Sequence, residues 1–120
     1  MMRVLFGAAF LISSVFFGIP AASACSASSI NIAAEALNRL GRASTVEDAQ
    51  LEAGRARRNV QFAETDLMSC CLLVSTSLSD VARSLRNIEF ETTASQIQYE
   101  RDRAFRRFNE AVQNWNMRLC

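Results

Sequence analysis

VEDAQLEAGRARRNVQFAETDLMSCCLLV, residues 46–74, is the stretch whose reading decides the fold. Val46, Ala49, Ala53, Ala56, Val60, Ala63, Leu67, Cys70 and Val74 recur at alternating steps of three and four. That spacing is a heptad seam and marks a helix packed against other helices. Most of the seam is alanine, so neighbouring helices can approach closely, and each alanine buries little area. Such a helix needs bulky partners on more than one side.

Outward from the seam, the chain punctuates itself. Gly41 follows an apolar-periodic stretch and reads as a helix C-cap. Ser44-Thr45-Val46-Glu47 has the form of a capping box, with Ser44 capping and Glu47 reaching back. The polar cluster Ser75-Thr76-Ser77-Leu78-Ser79-Asp80 predicts a fresh helix start. A last stripe, Phe105, Phe108, Val112, Trp115 and Leu119, offers the bulk that the alanines lack. Proline is absent after Pro20 and β-branched runs are rare. The predicted class is all-α, a small disulfide-stapled helical bundle.

Sliding the chain against itself by 48 residues lays 28–72 over 76–120 without a gap, and ten of the 45 pairs are identical. They include Ala34/Ala82, Leu37/Leu85, Thr45/Thr93, Gln50/Gln98, Glu52/Glu100, Arg55/Arg103, Ala56/Ala104 and Arg58/Arg106. Unrelated helices of this composition would agree at roughly three or four positions, so an internal repeat is the better reading. It predicts two helical hairpins, 25–70 and 71–120, each a short helix, a Ser/Thr turn and a long helix. The competing arrangement is one continuous helix from Asp80 to the end, about 60 Å long at 1.5 Å per residue.

The four cysteines bear on that choice. Cys25 and Cys71 precede the short helices, whereas Cys70 and Cys120 close the long ones. Pairing Cys25 with Cys70 and Cys71 with Cys120 would clip each hairpin at its open end. The crossed pairing stays open from sequence, and a Cys70–Cys71 bridge would be strained. Two bridges at ~2–4 kcal/mol each would matter in an alanine-rich core.

An even cysteine count suits an oxidising compartment, and the front of the chain agrees. Arg3 precedes an uncharged apolar run over residues 4–19, and Pro20 and Ala22-Ser23-Ala24 follow it. This is the pattern of a secretory signal peptide cleaved after Ala24. The run is shorter than the ~20 residues of a spanning helix, which disfavours a retained anchor. A lipidated Cys25 is a further alternative, although Ala22 stands where a bacterial lipobox normally has leucine. Abundant alanine and arginine with no lysine hint at a GC-rich bacterium. Export from a Gram-negative cell would deliver the chain to the periplasm.

Without the leader, 96 residues remain as one domain, and 12 arginines balance 12 acidic residues. Zero net charge argues against a polybasic nucleic-acid or membrane-surface binder. With neither His nor Lys in the sequence, the usual general base and the Schiff-base amine are missing. Glu47/Asp48 and Glu89/Glu91 read as capping and solubility residues. No catalytic motif is legible and no cofactor is implied, so the expectation is a non-enzyme.

Two arginine clusters remain, Arg55, Arg57 and Arg58, and Arg101, Arg103, Arg106 and Arg107. They can grip an anionic ligand or a carboxylate-rich partner. Alternatively they pair locally, Arg55 with Glu52, Arg103 with Glu100 and Arg106 with Asp102. Trp115, with Phe105 and Phe108, fits either a core or a docking stripe. Met68, Cys70, Cys71, Met117 and Cys120 raise a soft-metal alternative, a copper carrier, but no paired Cys-x-x-Cys motif supports it. The expected function is therefore binding to another envelope or secreted protein, through the small-residue seam and the arginine faces. The different-class alternative is a small-ligand or copper carrier.

Overall fold

The computed structural model of the chain describes residues 26–120. The leader, its cleavage after Ala24, the lipidation of Cys25 and the Cys25–Cys70 bridge all lie outside the described residues. Among the described residues there are four helices and no strand: α1 (Ser28–Gly41), α2 (Val46–Leu67), α3 (Leu72–Phe90) and α4 (Ala94–Asn116). They run up and down, and each packs mainly on its sequence neighbour. The body measures 48 × 24 × 21 Å. One end carries the α1–α2 and α3–α4 turns. The other, the cystine end, gathers the start of α1, the α2–α3 turn and the chain terminus.

The seam residues Ala49, Ala53, Ala56, Val60, Ala63 and Leu67 are all buried, so the alanine stripe lies wholly inside the bundle. It is not available as an interaction surface. Its bulky counterparts come chiefly from α3, where Val74, Leu78, Val81, Leu85 and Ile88 are fully buried at heptad spacing. Leu37 and Leu40 of α1 add to them. From the last stripe only Phe108 is buried. Phe105, Val112 and Trp115 pack against the core half-covered, and Leu119 is exposed beyond the helix.

Four boundaries differ from the sequence reading. The seam spacing continues to Val74, but α2 ends at Leu67, Cys70 is exposed in the turn, and Val74 belongs to α3. The predicted start near Ser75–Asp80 falls at Leu72 instead. The hydroxyls there turn back onto carbonyls rather than capping: Ser75 Oγ donates to Glu64 O and Thr76 Oγ1 to Leu72 O, both at 2.9 Å. The terminal residue does the capping, with Cys120 O accepting from Leu73 N at 3.2 Å. At the head of α2, Thr45 rather than Ser44 is the cap, its Oγ1 accepting from Asp48 N at 3.0 Å.

Gly41 is the fourth difference. It lies inside α1, where helical conformation continues through Arg42 (φ −94°), and so supplies no left-handed cap. Its use is close approach: a Cβ there would lie 3.4 Å from Phe105 Cζ. A left-handed residue does close α4. Arg118 has φ 59°, with Arg118 N donating to Trp115 O at 3.1 Å and Leu119 N to Asn114 O at 2.8 Å. That pair of bonds is the Schellman arrangement.

The break at Thr92-Thr93 removes the continuous-helix alternative. Thr93 Oγ1 accepts from Gln96 N at 3.3 Å, as Thr45 does from Asp48 N, and the two caps stand 48 residues apart. Short helix, threonine-capped turn and long helix recur in register with the repeat. Cys71 is bridged to Cys120. Cys70 carries no free thiol.

Candidate interaction surface

The seven arginines singled out from sequence divide by what they touch. Arg57 of α2 is an internal tie: its Nε donates to Glu89 Oε2 of α3 and its Nη2 to Oε1 at 3.3 Å. The hydrogen bond to Glu89 holds this guanidinium above its ordinary range. Arg101 of α4 closes the C-terminus of α1, donating to Leu40 O at 3.2 Å and Ala43 O at 3.3 Å. Cationic donors belong at that end of a helix.

The remaining five face outward or lie half-covered. Arg55 pairs with Glu52 and Arg107 with Glu110, each at 3.3 Å. Arg58, Arg103 and Arg106 have no ion-pair partner among the described residues. Two local pairs expected from spacing do not form. Glu100 turns inward instead, buried, with Oε2 accepting from Asn87 Nδ2 at 3.2 Å. Asp102 accepts from Gln98 Nε2 at 2.9 Å and leaves Arg106 unneutralised.

Beside these arginines stand apolar residues that the sequence reading passed over. On α2, Leu51, Arg55, Arg58 and Phe62 are all exposed and step by four, three and four, so they share one outward stripe. Phe62 is 62% exposed. The repeat places Tyr99, Arg103, Arg106 and Glu110 at the same positions of α4, and Tyr99 is 59% exposed. An apolar residue followed by two arginines is therefore displayed on each long helix. The legible signal was Leu51/Tyr99 between the identical pairs Gln50/Gln98 and Glu52/Glu100. The two stripes do not meet, because α2 and α4 barely touch.

Trp115 is half-buried against the core, with Arg118 Cζ 5.3 Å from its ring centroid. It belongs to neither stripe. A shallow open cleft at the α1–α2 turn is lined by Arg39, Arg42, Ala43, Asp48 and Glu52. Glu52 and its repeat mate Glu100 each leave Oε1 without a hydrogen bond. Cys70, Cys71 and Cys120 are disulfide-bonded, so none of them offers the thiolate that a soft metal needs. No group of three His, Cys, Asp or Glu is placed to hold a metal among the described residues. No family model, curated protein or solved structure matches the chain.

Proposed function

We propose that the chain is an exported periplasmic binding module that works without catalysis by docking another envelope or secreted protein. The reading rests on the repeated outward stripe, Leu51-Arg55-Arg58-Phe62 on α2 and Tyr99-Arg103-Arg106 on α4. Large apolar side chains beside guanidinium groups, of which Arg58, Arg103 and Arg106 have no ion-pair partner among the described residues, are what an interface core and its orienting charges require. Arginine beside an aromatic favours a surface that is both carboxylate-bearing and apolar. The near balance of charge over the whole chain, +1 at neutral pH, disfavours nucleic acid. A disulfide-closed bundle holds the stripes rigid, so little ordering entropy opposes docking.

The test is a photo-reactive residue at position 62 or 99 of the full-length chain, followed in the envelope of a bacterium that exports it. A discrete protein adduct that disappears when Arg58→Glu and Arg106→Glu are added supports the proposal. No adduct, or one indifferent to those charges, contradicts it.

A further inference from the structure

We propose that the cleft at the α1–α2 turn binds a small zwitterion of the amino-acid type, a ligand with one carboxylate and one ammonium group. This inference does not depend on the partner of the two stripes.

The cleft has a volume of about 290 Å³, at the low end for a small-molecule site. Arg39 of α1, Arg42 and Ala43 of the turn, and Asp48 and Glu52 of α2 line it. These charges sum to zero, yet the opposite signs do not join. Neither arginine forms an ion pair with Asp48 or Glu52, nor with Glu35 one turn back on α1. Glu52 gives Oε2 to Arg55 and keeps Oε1 buried without a hydrogen bond. A buried acceptor left unbonded costs stability unless a donor reaches it. Helix-end electrostatics account for an arginine closing α1 and an aspartate opening α2. They leave Glu52 Oε1 unexplained, because that residue stands in the second turn of α2.

The repeat supplies a control within the chain. The positions 48 residues on are Asn87, Phe90, Glu91, Gln96 and Glu100. There Asn87 Nδ2 donates to Glu100 Oε2 at 3.2 Å, so an internal amide partners the carboxylate. In the first hairpin Arg39 replaces that amide and does not reach Glu52, while Arg42 and Asp48 stand for Phe90 and Gln96. Both signs are thus displayed at one turn and absent from the matching positions of the other.

A ligand with separated charges of both signs answers this lining: carboxylate toward Arg39 and Arg42, ammonium toward Glu52 and Asp48. A simple anion or cation satisfies one wall and repels the other. Ala43 is the sole apolar residue of the lining, so the cleft selects charge placement rather than a large side chain. The turn is held in place beforehand. Arg101 of α4 donates to Leu40 O and Ala43 O, and Thr45 caps α2.

The test is a nuclear magnetic resonance titration of the isotope-labelled protein, purified from the envelope of a bacterium that exports it. The probes are L-alanine, sodium propionate and ethylammonium chloride at matched ionic strength; each of the last two lacks one of the charges. We expect L-alanine to shift the amides of residues 39–52 saturably, with half-saturation at about 1 mM, and the other two to bind at least about tenfold more weakly. Arg42→Gln and Glu52→Gln should each weaken L-alanine by about tenfold, whereas Arg118→Gln, at the cystine end, should leave it unchanged. Arg42 is exposed, so its variant tests the site without challenging the fold, and the amide spectrum checks the fold of Glu52→Gln. The absence of a saturable shift with L-alanine overturns the proposal, as does binding indifferent to both cleft variants. Propionate or ethylammonium binding as tightly as L-alanine would make this a site for one charge only and also overturn it.

Discussion

Phe105 of α4 lies against Gly41 of α1, with its ring edge where a Cβ on that glycine would make van der Waals contact at 3.4 Å. Subtracting and adding 48 turns this pair into Arg57 and Glu89, which are joined across α2 and α3. The same operation relates Gln50, donating to Glu91 O, to Gln98, which holds the Arg101 that donates to Ala43 O. Equivalent positions meet on opposite sides of the bundle with unlike chemistry. The two hairpins share element order and threonine caps, but not their outer packing, since α2 packs broadly on α3 whereas α1 barely touches α4.

Gly41 distinguishes close approach from left-handed capping. We expect Gly41→Ala to be neutral or to stabilise by up to about 1 kcal/mol, because alanine favours helix and its methyl just meets the ring. A left-handed glycine would instead lose about that much on the same change. Gly41→Leu should displace Phe105 and cost about 1–3 kcal/mol. Urea midpoints decide.

The equivalent contact on the other side is polar. Arg57 and Glu89 side chains are 27% and 21% exposed, so solvent screens part of their attraction. A double-mutant cycle with Arg57→Met and Glu89→Gln should give a coupling of about 1 kcal/mol. A coupling near zero would mean that the contact does not hold α2 to α3.

Inside the bundle, small and large residues answer one another. Ala56 of α2 and Leu78 of α3 are both fully buried. Ala56→Leu should cost about 1–3 kcal/mol by overpacking, and Leu78→Ala about 2–5 kcal/mol by opening a cavity. If Ala56→Leu proved stabilising, the close approach of α2 to its neighbours would be wrong.

Thr45 and Thr93 cap the two long helices in the same way. Each Thr→Ala change should lower stability by about 1 kcal/mol, and the pair should add. Unequal losses in thermal or urea unfolding would set the hairpins apart.

The sequence revealed the helical class, the seam and the repeat because each is a periodic signal that burial imposes on side chains. It misplaced the start of α3 because the hydroxyls at 75 and 76 can bond either an amide or a carbonyl. The amide at Leu73 is satisfied by Cys120, 47 residues away, which no local pattern records. The arginines were visible as clusters, but their division was not. Whether Arg57 ties a neighbour or Arg58 faces solvent depends on one residue of helical rotation and on Glu89 in another helix. Leu51, Phe62 and Tyr99 were missed because apolar residues on a long helix are usually core.

Removing the Cys71–Cys120 bridge by Cys71→Ser/Cys120→Ser should cost about 2–4 kcal/mol in guanidinium unfolding. It should also speed hydrogen exchange at the Leu73 amide, whose acceptor is Cys120 O. Unchanged exchange there would remove the terminus from the capping of α3.

The central claim, two equivalent hairpins each closed at the cystine end, is tested most directly by mapping the disulfides of the unreduced protein. Partial reduction with stepwise alkylation separates Cys70 from Cys71 before mass spectrometry. We expect one link between Cys71 and Cys120 and a second between Cys25 and Cys70. A Cys25–Cys120 link, or any other partner for Cys120, would contradict it.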